Sequence, residues 1–152
     1  MNNVIKLHKR VYTIGHSNRS LEEFIKILKF HKINVLVDVR RFPTSRIAPH
    51  FKRENLENKL PTHNIKYIWL GDLLGGYRSG GYKEYMDSEE FNRGLKKLIE
   101  IITNSKGYVA LMCSERLWFK CHRRFIANKL VEKGFEVIHI IDKERIQKHK
   151  LR

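Results

Sequence analysis

Short apolar runs alternate with longer amphipathic stretches along the chain. Residues 11–14 form the first run, which ends at Gly15. Ser20-Leu21-Glu22-Glu23 then has the form of a capping box, in which a hydroxyl and a carboxylate satisfy the first free N–H groups of a helix. Leu21, Phe24, Ile25 and Leu28 recur at helical spacing, which predicts a helix to about Phe30. Residues 33–37 are a continuous β-branched and leucine run that stops at Asp38, the composition of a parallel strand covered on both faces. A helix is predicted over 51–60, stopped by Pro61, and a third strand over 65–70. The glycine-rich stretch 71–81 reads as a mobile or tightly turning lid. It leads to a helix over about 88–103, with Asp87-Ser88-Glu89-Glu90 as its start signal. Residues 108–112 form a fourth strand, and 118–133 one helix closed by Gly134 in the C′ position. A last strand covers 135–140, followed by a charged tail over 141–152.

Strands alternating with helices at these intervals imply right-handed crossovers. The expected fold is α/β: a Rossmann-like three-layer αβα sandwich with a mostly parallel sheet of about five strands, in one domain over 1–152. The glycine patterns of dinucleotide sites and of P-loops are absent. No apolar stretch approaches the roughly 20 residues of a membrane helix, and residues 1–17 lack the apolar core of a secretory signal. Two cysteines, Cys113 and Cys121, are too few for a disulfide scaffold, so a cytoplasmic setting is expected. Charge changes the picture most. Lys and Arg number 31 against 16 Asp and Glu, a formal net charge of +15. Basic residues spread from Lys6 and Arg10 through Arg40, Arg41, Arg46, Lys52 and Arg53 to the tail. Such an excess repels itself in a compact chain and fits a polyanionic partner, DNA or RNA; a lysine-rich compositional bias is the alternative.

Ligands of open α/β sheets bind beyond the carboxyl ends of the strands. Here those ends carry Gly15-His16-Ser17, Asp38-Val39-Arg40, Gly71-Asp72 and Cys113-Ser114-Glu115. The two longest connections, 40–50 and 71–87, leave the same rim. His16, Asp38, Glu115 and Cys113 are therefore the catalytic candidates. Ser17, Arg40, Arg41, Gly71, Tyr77, Arg78 and Arg123 are the binding candidates. Asp38 serves either catalysis or pairing with Arg40, Arg41 or Arg46. Glu115 is a general base or a favourable charge at a helix start. Cys113 stands where a thiol pKa is lowered, or is a small apolar core residue. A phosphatase loop needs arginine at position 119, which is Phe. Cys121-His122-Arg123 falls inside the predicted helix, where Arg123 and Arg124 form a phosphate clamp. The Cys113…Cys121-His122 spacing matches no zinc pattern, so no metal is assigned and the cofactor is left open. Trp69, Trp118, Tyr77, Tyr82 and Tyr85 are candidates for base stacking or for the core.

With these blocks the chain resembles a family called domain of unknown function 488. The carriers are Thr13-Ile14-Gly15-His16-Ser17, Asp38-Val39-Arg40 with Pro43, Tyr67, Leu70-Gly71 with Leu74-Gly75, Cys113-Ser114-Glu115, Cys121-His122-Arg123 and His139-Ile140. The resemblance spans about Tyr12 to Ile140 and leaves out the basic tail. It implies an α/β fold and a shared pocket, and no particular reaction.

Three functions compete. The leading expectation is an enzyme acting on nucleic acid or nucleotides by hydrolytic or base-removing chemistry. In it a carboxylate activates water, His16 transfers a proton, and Arg40 and Arg123 hold phosphate. The second is a non-catalytic nucleic-acid-binding module. The third is a thiol- or metal-dependent small-molecule enzyme built on Cys113, Cys121 and His122. No membrane and no protein partner is expected.

Overall fold

The computed structural model describes residues 9–44 and 48–151. Lys6 and Arg46, named above for the basic surface and as an Asp38 partner, lie outside the described residues. Six strands form a single sheet: β1 (Arg10–Gly15), β2 (Ile33–Asp38), β3 (Lys66–Trp69), β4 (Tyr108–Cys113), β5 (Glu136–Ile140) and β6 (Ile146–Lys148). Their order is β3-β2-β4-β1-β5-β6, and all neighbours are parallel except β5 and β6. The helices are α1 (Leu21–Phe30), α2 (Arg53–Lys59), α3 (Gly71–Leu74), α4 (Tyr82–Tyr85), α5 (Glu89–Asn104) and α6 (Arg123–Glu132).

The capping residues act as their chemistry demands. The Ser20 hydroxyl accepts the Glu23 N–H at 3.0 Å and starts α1. Ser88 accepts the Phe91 N–H at 3.2 Å and starts α5, which buries Phe91, Leu95, Leu98 and Ile102 at helical spacing. Neighbouring residues of the central strands point to opposite sides. Val35, Val37, Val109, Leu111 and Val137 pack with apolar residues of α5 and α6. Tyr12, Ile14, Leu36, Ala110, Met112 and Ile138 pack with Phe24, Ile25 and Leu28 of α1 and Leu56 of α2. Thus α1 and α2 carry the chain from β1 to β2 to β3, and α5 and α6 carry it back through β4 to β5. The direction of winding reverses around β4, which is seated between β1 and β2.

Three expectations need correction. The sheet has six strands instead of about five, because part of the tail is β6. A turn at 141–145 makes this possible: Asp142 bonds Arg116 at 2.8 Å, and the Ile141 and Asp142 N–H groups donate to the Arg145 carbonyl. Beyond it, His149 is buried in a chain of hydrogen bonds from Thr13 Oγ1 to His139 Nδ1 (2.6 Å), His139 Nε2 to His149 Nδ1 (2.8 Å) and His149 Nε2 to Asn128 Oδ1 (2.6 Å). The helix expected over 118–133 is divided. Trp118–Lys120 makes one tight turn, Cys121 is extended (φ −140°, ψ 156°), and α6 begins at Arg123. The Trp118 indole, stacked on His139 at 4.5 Å, fixes that turn. The glycine-rich stretch opens with α3 and is followed directly by α4, tied to it by Tyr82 and Tyr85 hydroxyls that donate to the Leu74 and Leu73 carbonyls. Among the described residues, no helix is long and apolar enough to cross a membrane.

Candidate functional site

The strand register aligns the residues that matter. Gly15 faces Cys113 across β1 and β4, and Asp38 faces Met112 on one side and Trp69 on the other. The backbone pairing of β1 and β4 continues past the strands, with His16 and Ser17 N–H groups donating to the Cys113 and Ser114 carbonyls at 2.9 Å. Gly15 is required here, since a Cβ on it would stand 1.7 Å from the Glu115 carbonyl oxygen. α1, which follows β1, and α6, which follows β4, pack in different apolar clusters, and a crevice lies at the strand ends where winding reverses. That crevice holds a pocket of about 560 Å³.

Buried His16, Arg40 and Cys113 form its deep part, and exposed Phe42, Tyr77 and Phe119 stand at its mouth. Arg41, Lys120 and Arg124 bring positive charge to it, and Glu115 is the acidic residue among those that line it. The Glu115 side chain is exposed, and no described residue pairs with its carboxylate.

Asp38 and Arg40 make the most constrained contact at the rim. Arg40 grips the Asp38 carboxylate with Nε at 2.9 Å and Nη2 at 2.7 Å, and its backbone N–H donates at 3.0 Å. The Tyr67 hydroxyl donates to Oδ2 of the same carboxylate, the oxygen that Arg40 Nη2 also contacts. Burial, with the Asp38 charge beside it, raises the Tyr67 pKa. Asp38 is fully buried and absent from the pocket lining; it holds Arg40 in place. Arg40 also donates to the Phe51 carbonyl at 2.7 Å and turns Nη1 toward His16 Nε2 at 3.3 Å. His16 Nδ1 donates to the Ser17 carbonyl at 2.8 Å, which leaves Nε2 as the acceptor for Arg40. The ring lies flat on Phe51, 4.4 Å away. Burial lowers the His16 pKa to about 4, and the Arg40 charge works in the same direction. His16 is therefore neutral at pH 7, with its lone pair engaged by Arg40.

Cys121 places its sulfur 2.8 Å from that of Cys113. His122 donates from Nε2 to the Val39 carbonyl at 2.9 Å, so Nδ1 presents a lone pair, 3.5 Å from the Cys121 sulfur. Burial lowers the His122 pKa and keeps it neutral. Arg123 is fully buried, and its Nη2 donates to the Glu115 and Arg116 carbonyls at 3.0 and 3.1 Å.

The pocket thus gathers His16, Arg40, Arg41, Tyr77, Cys113 and Glu115 of the expected residues. Ser17, Asp38, Gly71, Arg78 and Arg123 do not line it. Ser17 sits beside it with φ 51° and offers its carbonyl to His16. Gly71 is buried beneath, where a Cβ would stand 1.7 Å from the Arg40 carbonyl oxygen. Arg78 holds the turn after α3 by donating to the Gly75 and Asp72 carbonyls, with its guanidinium 4.0 Å from the Tyr85 ring. Sequence reasoning misses Phe42, Lys120 and Phe125 as lining residues, Phe51 as the support of His16, and Tyr67 as the second partner of Asp38. The run Phe119-Lys120-Cys121 carries a signal, but its periodicity reads as helix surface. Among the described residues, no three His, Cys, Asp or Glu side chains converge as metal ligands.

A family model described as "Domain of unknown function DUF488" matches residues 20–130, from the cap of α1 into α6. No curated protein and no solved structure matches the chain.

Proposed function

The chain belongs to the DUF488 family, and we propose that it is an enzyme acting on nucleic acid or nucleotides by a hydrolytic or base-removing step. The observation that carries this reading is the composition of the pocket: aromatic rings at its mouth, guanidinium and ammonium groups around them, and a single carboxylate between. Rings stack on bases and tolerate any of them, while the cations take phosphate. The net charge of +15 supports a polyanionic partner. In this reading Phe42, Tyr77 and Phe119 receive a base, and Arg41, Lys120 and Arg124 receive the phosphates beside it. Glu115 activates water or stabilises the positive charge that develops on the sugar as a base departs. Arg40, fixed by Asp38 and by neutral His16, is a rigid donor at the inner end. The two packed clusters are read as the faces of a three-layer Rossmann-like sandwich, and a reducing cytoplasm is the proposed setting.

The test is binding of labelled single- and double-stranded DNA and RNA across a salt series, with analysis of products in the same mixtures. Three pocket cations engaging phosphate give a slope of log affinity against log salt of about −2 to −3. Glu115→Gln is expected to keep that binding and abolish product formation. A product that forms equally well with Glu115→Gln removes the assigned chemistry. Salt-insensitive binding, or none, removes the partner class. Binding without a product from either protein leaves a non-catalytic module.

A further inference from the structure

Arg123 presents a problem of charge. Its guanidinium is fully buried, and among the described residues no carboxylate pairs with it and its Nε and Nη1 have no hydrogen-bond partner. A buried cation without a counter-ion is costly, so an anion is expected close by. Cys113 is the acidic group whose ionisation Arg123 favours, and it lies at the end of β4 under the pocket. Its sulfur is 2.8 Å from that of Cys121, whose S–H points at it, and only about 0.8 Å separates this contact from a bonded length of roughly 2.0 Å.

From this geometry we infer that Cys113 and Cys121 form a peroxide-sensitive dithiol site beneath the pocket, with Cys113 the attacking thiolate and Cys121 the resolving thiol. The site stands independently of the proposed action on nucleic acid. Burial opposes a charge on Cys113, but the Cys121 S–H and the Arg123 charge outweigh it and lower its pKa. Cys121 is pushed the other way, first by donating its proton to Cys113 and then by burial. One sulfur is thus the nucleophile and the other retains its proton.

The oxidant is a hydroperoxide. The Cys113 thiolate attacks its outer oxygen, the O–O bond breaks, and an alkoxide or hydroxide leaves and takes a proton from water. Cys113 is now a sulfenic acid, oxidised by two electrons, and the peroxide is reduced. The Cys121 sulfur then attacks the Cys113 sulfur and the S–O bond breaks. Hydroxide departs and is neutralised to water by the Cys121 proton, relayed through the Nδ1 lone pair of His122. A disulfide results, and an external thiol reverses it by exchange. Because Cys121 connects the turn bearing Phe119 and Lys120 to α6, the bond links that wall to β4.

The test treats the native protein with hydrogen peroxide, blocks remaining thiols in denaturant, and weighs the product. The expected result is an intramolecular disulfide, about 2 Da lighter and unable to take alkylating reagent, restored by dithiothreitol. Cys121→Ser is expected to stop at a Cys113 sulfenic acid trapped by a dione reagent, and Cys113→Ser to form no sulfenic acid. The ratio of the native oxidation rate at about pH 9 to that at about pH 7 is expected to be smaller than for an ordinary thiol, which slows about tenfold per unit below roughly pH 8.5. That ratio is taken within one protein, so restricted access does not affect it. Retention of both thiols at peroxide levels that oxidise the unfolded chain overturns the inference. So does disulfide formation only between molecules, or the pH profile of an ordinary thiol.

Discussion

Replacing Asp38 by asparagine tests the pairing that positions the inner end of the pocket. The side chains of Asp38 and Arg40 are 0% and 8% exposed, and Nη2 lies 2.7 Å from Oδ2. A pair on the surface contributes at most about 1 kcal/mol, because water already solvates both charges. At this burial the substitution leaves a guanidinium that retains the Phe51 carbonyl and the His16 nitrogen but no counter-charge. Breaking such a pair costs roughly 3–5 kcal/mol, a large share of the about 5–15 kcal/mol that holds a domain together. For a chain of this length each kcal/mol moves the melting temperature by about 2–4 °C, so a fall of roughly 6–20 °C is expected. Urea unfolding followed by circular dichroism gives the free energy directly, and an unchanged slope establishes that compactness is retained. Arg40→Met alone is expected to cost a similar amount, because it strands the carboxylate. The double substitution is expected to cost less than the two singles added, with a coupling of about 2 kcal/mol or more. A loss below about 1 kcal/mol for Asp38→Asn, or strict additivity in the double variant, would refute the reasoning.

Two other outcomes follow from the same contacts. Burial lowers the His139 pKa to about 2, with the Arg123 charge next in effect, and lowers that of His16 to about 4. Both histidines are depressed, so the unfolded chain binds protons first on acidification. Their contribution is complete above about pH 6.5 and is lost as pH falls, through the window down to about 4 for His16 and about 2 for His139. Each lowers stability by up to about 1.4 kcal/mol per pH unit inside its window, read as a falling urea midpoint between pH 7 and 5. A flat midpoint, or an unchanged slope in His139→Gln, contradicts this. At Gly15 the added methyl of Gly15→Ala meets the backbone of Glu115, which has no flexible end to swing away. A cost of about 1–3 kcal/mol or more is expected in thermal unfolding, and a melting temperature within about 1 °C of the parent would show that the β4 loop yields freely.

The parts of this protein that follow from local chemistry are legible in the sequence. Alternating faces and continuous apolar runs locate the five long strands, and serine caps locate α1 and α5. The strand-end rule brings His16, Arg40, Cys113 and Glu115 to one rim, where the register holds them together. Contacts between distant segments escape it. Nothing local announces that Tyr67 donates to Asp38, or that Phe51 lies under His16. The residues of β6, Ile146, Gln147 and Lys148, are all exposed, and they form a strand only because the edge of β5 is open and His149 is drawn inward beyond them. Helical propensity runs unbroken through residues 118–133. The break at Cys121 arises from tertiary contacts, the Trp118–His139 stack on one side and the Cys113 sulfur on the other.

The central pairing of β1 with β4 sets a condition on how the molecule comes into being. Val11 aligns with Val109 and Gly15 with Cys113, so the middle of the sheet joins segments nearly a hundred residues apart. Closing so long a loop is slow compared with forming α1 or α5, and its entropy is repaid only once β4 is in place. During synthesis, β1, β2 and β3 emerge before the strand that separates β1 from β2. Until β4 arrives, the open edges of β1 and β2 are exposed templates for other chains. The excess positive charge keeps such intermediates apart by mutual repulsion. A charge suited to a polyanionic partner thus also guards a chain whose sheet is completed from its middle.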